Sequence, residues 1–402
     1  MKKRLLLITA LSFVAIAGTF AQCNGRYQNE TFPTVTTTSN ITFGSNLDMN
    51  GNTVTLSLDF YEPAADTLTQ RPLIVWIHGG SFIGGTKNDP DVTALSQRFA
   101  KRGYVCCSIN YRLGITIPPN QTTATAAVVR AVQDAKAAVR FFRENATTYG
   151  IDTAQVFMGG SSAGAFTALH AAYLNKPSEI PSWVDTVALG NLEGNSGHPG
   201  FSSDFRACVN LCGALGDAAW LEPHDKPLCS MHGTADNTVP YNTAIIYLSG
   251  VFPIMQVYGS WSIDSAAQTN GTESWLHLWY GQDHVPYVAS QAYMDSTVTY
   301  VADFLYRHLD CYPAGIADIK NNEMSIDIFP IPTFNSLTVS LSNTGNLPYS
   351  YEIIDHLGRV VEKAENQTGR NFQINRKGFS SGIYCLNLTN SKGRSTKKFI
   401  FN

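Results

Sequence analysis

The strongest chemical pattern in the sequence is a serine between small residues, in the run Gly160-Ser161-Ser162-Ala163-Gly164. The run lies between a short apolar segment and a segment with helical spacing. A serine on a sharp strand-to-helix turn needs neighbours without bulky side chains two residues away, because backbone atoms crowd there. Gly160 and Gly164 meet that need. The pattern predicts Ser162 as a nucleophile; the alternative is a Gly-Ser-rich turn that arises by chance.

A second segment, His78-Gly79-Gly80-Ser81-Phe82, directly follows the apolar run from Leu73 to Ile77. When a serine attacks a carbonyl group, negative charge develops on the oxygen, and backbone N–H groups aimed at that oxygen lower the barrier. We expect the donors to be the N–H groups of Ala163, Gly80 and Ser81, with Gly79 assisting. The alternative is a merely tight turn. His78 is expected to orient this loop rather than to act as a base.

A serine hydroxyl needs a base, and the base needs an orienting carboxylate. We expect His284 to be the base, because it directly follows a late strand-like run, whereas His277 lies inside that run. Asp236 is the expected acid, since it also follows a strand-like run. The rival acids are Asp217, Asp225 and Asp283. The chain order Ser162, Asp236, His284 is the order of an α/β-hydrolase triad.

An alternation of strand-like and helix-like segments must position these residues. The predicted strands are Thr34–Phe43, Thr53–Tyr61, Leu73–Ile77, Tyr104–Tyr111, Gln155–Met158, Phe205–Leu211, Pro227–His232 and Trp275–Tyr280. The predicted helices are Asp91–Arg102, Thr123–Tyr149, Ala165–Leu174 and Ala289–Leu309. The alternation predicts an α/β fold with a mostly parallel central sheet flanked by helices. Two long stretches rich in Gly, Ser and Pro, Asn175–Asp204 and Gly250–Glu273, are expected to be irregular walls or lids of a substrate site.

Composition limits the classes of function. The chain has 402 residues, of which 44% are hydrophobic and 15% charged, enough for two or three domains with a real core. The formal net charge of -3 leaves no basic surplus, so we expect neither a nucleic-acid partner nor binding to an anionic membrane surface. Serine chemistry requires no metal and no organic cofactor, and none is predicted.

The eight cysteines predict little chemistry of their own. The adjacent Cys106 and Cys107 point to opposite faces of a strand and should not pair with each other. Cys208 and Cys212 are expected to share a strand face as core thiols, because no second Cys or His pair stands at metal-ligand spacing. Cys23 and Cys311, near the two ends of the predicted catalytic domain, are candidates for a disulfide.

The two ends of the chain predict export. Residues 1–21 combine a basic start, an apolar run too short to span a bilayer and small residues before Gln22, which predicts a cleaved signal peptide and no transmembrane segment in the mature chain. Gln22 before Cys23 disfavours a lipoprotein. Residues 313–325 form a predicted polar linker, and residues 326–402 have the short strands and turns of a small all-β sandwich.

Residues 22–312 resemble the α/β-hydrolases of the carboxylesterase and hormone-sensitive-lipase-like group. The resemblance is carried by the His78-Gly79-Gly80 motif, the Gly160–Gly164 run, Leu58–Pro63 and Asn110-Tyr111-Arg112. Ser81 stands where that group more often has a third glycine. The resemblance implies a serine carboxylesterase that acts on a small-molecule or polysaccharide-linked ester. A serine peptidase of the same fold and a non-catalytic binding protein are the alternatives.

The tail resembles the C-terminal sorting domain of the type IX secretion system. The matching motifs are Phe329–Pro332, Leu337–Val339, Asp355–Val360, Ser381–Tyr384 and Lys397–Ile400, with Ile331 in place of the usual asparagine. The resemblance implies type IX secretion machinery as a partner. It also implies export through the periplasm to a secreted or surface-attached location. A carbohydrate-binding β-sandwich is the alternative.

Overall fold

In this computed structural model the chain divides into two compact units, Met1–Pro313 and Ala314–Asn402. The structure describes residues 23, 25–311, 325–329, 333–342, 348–355, 358–369, 371–376, 378–390 and 393–402. The predicted signal peptide, 1–21, and all of the predicted linker except its last residue lie outside the described residues. Within the described part of the chain, no helix combines the length and apolar character needed to cross a bilayer.

The first unit is built on a large sheet. Its strands, numbered along the chain, are β1 Val35–Leu47, β2 Thr53–Pro63, β3 Arg71–Ile77, β4 Val105–Ile109, β5 Ile151–Ser161, β6 Cys208–Leu211, β7 Ala214–Leu215, β8 Leu228–Gly233, β9 Thr243–Leu248, β10 Phe252–Gly259 and β11 Ser274–Trp279. Eight of them form the sheet in the order β1-β2-β4-β3-β5-β6-β8-β11. From β4 to β11 all neighbours are parallel, while β2 is antiparallel to β1 and β4.

Helices cover both faces of this sheet. They are α1 Pro90–Ala100, α2 Gln121–Glu144, α3 Ala146–Tyr149, α4 Ala163–Tyr173, α5 Thr186–Leu189, α6 Ser260–Asn270, α7 Pro286–Ala289 and α8 Gln291–Arg307. The side chains of β3 alternate between two cores: Val75 packs with α2 and α4 on one face, and Trp76 packs with α1 and α8 on the other. A strand buried on both faces is apolar at every position, which explains the continuous Leu73–Ile77 run. The α/β-hydrolase fold is therefore confirmed.

The prediction that residues Gly250–Glu273 are irregular is wrong. The residues from Gly250 to Glu273 hold β10 and α6, and β10 pairs with β9 and β7 in a separate antiparallel sheet. By contrast, the stretch from Asn175 to Asp204 is mostly irregular and contains only a 3-10 turn and the four-residue α5. We call the β9–β10 pair, Thr243–Gly259, the hairpin.

The second unit is all-β. Its strands are β12 Ser325–Phe329, β13 Ser336–Ser342, β14 Tyr349–Asp355, β15 Val360–Gln367, β16 Asn371–Asn375, β17 Gly382–Asn390 and β18 Gly393–Phe401. They form two antiparallel sheets, β12-β13-β16 and β15-β14-β17-β18. A core that includes Val339, Ile353, Leu386 and Phe399 lies between them. This is the expected small sandwich.

The cysteines follow the predictions with one exception. Cys23 and Cys311 form a disulfide across a sequence separation of 288 residues, while Cys106 and Cys107 are buried free thiols in the two different cores. Cys208 and Cys212 are also buried and free, but the prediction that they share a strand face is wrong. The strand β6 ends at Leu211, and Cys212 has a φ of 58°, which turns its side chain to the opposite core.

Candidate active site

Ser162 lies on the turn between β5 and α4, with φ 54° and ψ -118°. This backbone region is strained for a residue with a side chain, and it projects the hydroxyl away from the sheet. A Cβ atom on Gly160 would lie 2.2 Å from the backbone of Gly164, and one on Gly164 would lie 2.0 Å from the carbonyl oxygen of Ile77. The two glycines are therefore required by backbone contacts, as the sequence pattern predicts.

The structure brings Ser162, His284 and Asp236 together. The hydroxyl of Ser162 lies 2.8 Å from Nε2 of His284, and Nδ1 of His284 lies 2.6 Å from Oδ2 of Asp236. Asp236 follows β8, and His284 follows β11, the parallel neighbour of β8. In this arrangement the imidazole can accept the serine proton on Nε2 while its Nδ1–H donates to the carboxylate.

The carboxyl of Asp236 is fully buried. Burial favours its neutral form, but hydrogen bonds from His232 and His284 outweigh burial and hold the pKa of Asp236 well below its ordinary value. Two backbone N–H groups, those of Thr238 and Val239, donate to Oδ1 at 2.8 Å each. The residue is thus held as a carboxylate facing the imidazole.

The residues considered as alternatives to Asp236 and His284 make other contacts. Asp283 accepts hydrogen bonds at Oδ1 from the N–H groups of Asn237 and His284, which ties the loop that carries Asp236 to the loop that carries His284. The remaining rivals lie elsewhere: Asp217 caps a short 3-10 turn, Asp225 accepts from the N–H of Glu222, and His277 packs against the ring of Tyr300.

Cys212, His232 and Asp236 offer ligand atoms within 4.8 Å of one another. His232, however, has partners for both ring nitrogens: Nδ1 lies 2.7 Å from Oγ of Ser260, and Nε2 lies 3.0 Å from the carbonyl oxygen of Val239 and 3.2 Å from Asp236. A ring that donates from Nε2 and accepts at Nδ1 has no lone pair left for a metal ion. His232 therefore supports Asp236, a role that sequence reasoning missed although the residue stands in the same motif.

The loop from His78 to Phe82 lies against Ser162. A Cβ atom on Gly79 would lie 3.8 Å from the hydroxyl oxygen of Ser162. Gly80, Ser81 and Phe82 have φ values of 106°, 54° and 59°, so three successive residues adopt the left-handed region. In the described part of the chain no acceptor takes the N–H groups of Gly79, Gly80, Ser81 or Ala163. The four groups are free to donate to a ligand.

Within the described residues, the side chain of His78 at the start of this loop forms no hydrogen bond with Ser162, His284 or Asp236. Its ring stacks on Tyr111 at a centroid distance of 4.4 Å, and its Nδ1 lies 2.7 Å from the carbonyl oxygen of Gly79. The hydroxyl of Tyr111 donates to the carbonyl oxygen of His78 at 3.1 Å. These contacts fix the backbone that carries the free N–H groups.

A further contact near Ser162 was not predicted. The hydroxyls of Ser161 and Tyr287 are 2.7 Å apart and buried, and Tyr287 follows His284 by three residues. The bond links the turn that carries Ser162 to the segment that carries His284. No sequence pattern indicates it, because its partners are 126 residues apart.

Comparison with known proteins agrees with this architecture. Residues 58–213 match the BD-FAE family, and residues 327–402 match the secretion system C-terminal sorting domain. Among curated relatives, Esterase LipI of Mycobacterium tuberculosis is 25% identical over 205 residues, which cover 48% of this chain and 60% of LipI. Phenmedipham hydrolase of Pseudarthrobacter oxydans is 33% identical over 113 residues, which cover 28% of this chain and 22% of that enzyme. The chain spans 17% of gut esterase 1 of Caenorhabditis briggsae.

Among solved structures, esterase 2 of Thermogutta terrifontis, phosphorylated by paraoxon, aligns over 69% of this chain and 95% of its own, with 20% identity and a TM-score of 0.49. The sheet order and the turn at Ser162 are those of the α/β-hydrolase fold. Within that fold residues 58–213 carry the match to the BD-FAE family, and residues 327–402 carry the match to the secretion system C-terminal sorting domain.

Proposed function

We propose that this protein is a secreted serine carboxylesterase in which Ser162 is the nucleophile, His284 the general base and acid, and Asp236 the orienting carboxylate. The observation that carries the proposal is the continuous hydrogen-bonded path from Ser162 through His284 to Asp236, with distances of 2.8 Å and 2.6 Å. The relatives that are named esterases, LipI and gut esterase 1, support an ester as the substrate.

The proposed reaction has two halves. Ser162 attacks the ester carbonyl carbon while Nε2 of His284 takes its proton, and the same proton then passes to the departing alcohol. Water, deprotonated by His284, attacks the resulting acyl-serine and releases the acid. Asp236 stays ionised throughout and stabilises the imidazolium that forms in each half. No metal ion or organic cofactor is part of this proposal.

The negative charge that develops on the carbonyl oxygen needs donors that are already in place. The N–H groups of Ala163, Gly80 and Ser81, with Gly79 assisting, are proposed as these donors because they have no other acceptor in the described residues. Ser81 and Ala163 line the same cavity as Ser162, and Gly79 lies against the Ser162 side chain. Removing one such donor costs about a hundred- to a thousandfold in turnover in comparable enzymes.

Labelling with a fluorophosphonate probe and hydrolysis of p-nitrophenyl butyrate test the proposal together. Ser162→Ala should lose the label and about four to six orders of magnitude of turnover. Ser161→Ala is the matched control, since it removes the neighbouring hydroxyl, and it should keep the label. Loss of the label in Ser161→Ala alone would move the nucleophile by one residue. A wild-type chain that neither reacts with the probe nor hydrolyses esters would be a binding protein.

We also propose that the tail directs the enzyme through the periplasm and across the outer membrane, by the type IX machinery, to a secreted or surface-attached location. The match of residues 327–402 to the sorting domain supports this route. Deleting residues 326–402 should leave esterase activity unchanged and retain the enzyme in the periplasm of its host. Export of the truncated chain would refute the sorting role.

A further inference from the structure

Four buried polar side chains form a cluster between the large sheet and α6: Asn210, Ser230, His232 and Ser260. Asn210 on β6 is the register partner of Ser230 on β8, and His232 follows Ser230 by two residues and so shares its face of the strand. Ser260 is the first residue of α6. Polar groups removed from water cost free energy unless they are hydrogen-bonded, so the directions of the bonds within this cluster are informative.

The direction of these bonds is set at the backbone of Gly213. Its N–H donates to Oδ1 of Asn210 at 2.9 Å. A backbone N–H can only donate, so the amide oxygen of Asn210 has to face Gly213 and the NH₂ group has to face the other way. The two hydrogens of this NH₂ group are directed at Oγ of Ser230, at 3.0 Å, and at Oγ of Ser260, at 2.9 Å.

The same reasoning passes from Ser260 to His232. Oγ of Ser260 accepts from Asn210, and its single proton needs an acceptor of its own. Nδ1 of His232 lies 2.7 Å away, and within the described residues the hydroxyl makes no hydrogen bond to any other acceptor. Nδ1 is therefore an acceptor, and the ring carries its one proton on Nε2.

Nε2 of His232 faces two oxygen atoms. The carbonyl oxygen of Val239 lies 3.0 Å away, and Oδ2 of Asp236 lies 3.2 Å away. Oδ2 is also the oxygen that Nδ1 of His284 approaches to 2.6 Å. The thiol of Cys212 lies within 4.8 Å of the ring and the carboxylate, but burial raises its pKa, so it stays neutral and adds no charge.

A second proton on His232 would change the charge that His284 experiences. An imidazolium 3.2 Å from Oδ2 would pair with Asp236 and reduce the negative charge that stabilises the imidazolium at His284. The bonds from Asn210 oppose this protonation. If Nδ1–H of His232 also donated to Ser260, the proton of Ser260 would be left buried without an acceptor, which is unfavourable.

We propose that Asn210 and Ser260 are positioning residues that keep His232 neutral, with its proton on Nε2, so that Asp236 keeps its negative charge for His284. This proposal rests on the proposed function, since it takes Asp236 as the orienting carboxylate. The residues act through Asp236 and not on the substrate.

Asn210→Asp tests the direction of the bonds, because the two side chains have nearly the same shape. The new carboxylate still accepts from Gly213, but it also accepts from Ser260, so the Ser260 proton has an acceptor when Nδ1 of His232 is protonated. Ser230→Ala is the matched control. It removes the hydroxyl on the other side of Asn210 and leaves the bonds to Ser260 and His232 in place.

Two readouts follow the effect. Nitrogen-15 NMR of histidine-labelled protein reports the protons on each ring nitrogen of His232, whose signals disappear in His232→Gln. At about pH 7 the wild type and Ser230→Ala should carry a proton on Nε2 alone, and Asn210→Asp should carry one on each nitrogen. With p-nitrophenyl butyrate, Asn210→Asp should lower kcat by about ten- to a hundredfold and leave KM within about twofold, while Ser230→Ala should keep kcat within about threefold.

Variants of His232 itself decide the matter even if a buried carboxylate at position 210 prevents folding. The amide of His232→Gln can donate to Oδ2 of Asp236 but cannot take up a proton, so kcat should stay within about fivefold of the wild type. His232→Leu offers no donor and should lower kcat by about ten- to a hundredfold. Adding Asn210→Asp to His232→Gln should lower kcat by less than about threefold, because no ring remains to be charged.

Several results would overturn the proposal. These are a proton on Nδ1 of His232 in the wild type, wild-type kcat in Asn210→Asp, the same fall in kcat when Asn210→Asp is added to His232→Gln, and equal kcat in His232→Gln and His232→Leu. Failure of the proposed function would differ, since the wild type would then hydrolyse no ester and Ser162 would not be labelled.

Discussion

The contact between α4 and the end of β3 is predicted to position the free N–H groups of the His78–Phe82 loop next to Ser162, and a substitution at Gly164 tests this. A Cβ atom on Gly164 would lie 2.0 Å from the carbonyl oxygen of Ile77 and 2.6 Å from that of His78. Both are backbone atoms, which cannot rotate aside as the end of a flexible side chain can. Gly164→Ala therefore has to push the start of α4 and the end of β3 apart by about 1.4 Å, from 2.0 Å to the 3.4 Å at which ordinary van der Waals contact begins. The loop with the free N–H groups begins at that same end of β3.

Two magnitudes follow from this displacement. Overpacking of a buried contact costs about 1–3 kcal/mol of unfolding free energy, which corresponds to a fall in Tm of about 2–10 °C for a domain of this size. A shift of about 1 Å in catalytic groups costs about a hundredfold in turnover. At 25 °C the fraction of unfolded Gly164→Ala protein should stay small. We therefore expect its turnover to fall far more than the loss of folded protein explains.

Thermal unfolding and kcat/KM on p-nitrophenyl butyrate, measured on the same preparations, check both effects. Gly84→Ala is the matched control, because a Cβ atom on Gly84 has no neighbour within 4 Å. It should stay within about 1 °C and about twofold of the wild type. Wild-type turnover in Gly164→Ala would show that the contact between α4 and β3 does not position the N–H groups, and the reasoning would be wrong.

Three further outcomes are expected. Asp236→Asn should lower turnover by about ten thousandfold with little change in KM. Because the folded-state pKa of Asp236 is depressed, its stabilising contribution is present above about pH 4 and is lost as the pH falls further, so urea denaturation of wild type and Asp236→Asn should converge in acid. Tyr287→Phe should destabilise by about 1–3 kcal/mol, since it leaves the buried hydroxyl of Ser161 without a partner, and adding Ser161→Ala should recover part of that loss. Reduction of the Cys23–Cys311 disulfide should lower the unfolding free energy by about 2–4 kcal/mol, as measured with and without dithiothreitol.

The sequence predicted the features that a local pattern determines. Ser162 stands in a run whose glycines are required by contacts within a few residues, and Asp236 and His284 each directly follow a strand of the parallel sheet. Because the carboxyl ends of parallel strands meet at one edge, residues that follow such strands come together even when they are distant in the chain. The fold was predictable for the same reason, since the apolar runs of buried strands differ clearly from the helical spacing between them.

Contacts between distant residues were not predictable in this way. The bonds from His232 to Ser260 and from Tyr287 to Ser161 depend on packing that forms only when the sheet is complete. The hairpin was missed for a different reason. Strands are recognised by alternation of apolar and polar residues, and this hairpin has apolar side chains on both faces: Ile246 lines the cavity beside Ser162, and Ile245 is exposed to solvent. Gly250 and Pro253 then made the segment resemble an irregular loop.

The predictable and the unpredictable features belong to different parts of the molecule, and these parts have different proposed roles. The side chains that would break the ester bond are attached to the large sheet, where the fold fixes their positions. Part of the wall of the cavity beside Ser162, including Ile246 and Val257, belongs to the hairpin, whose small sheet is separate from the large one. Substitutions in the hairpin can therefore change the shape of that cavity without moving Ser162, His284 or Asp236. The choice among substrates should respond to hairpin substitutions far more readily than the turnover of a short ester does.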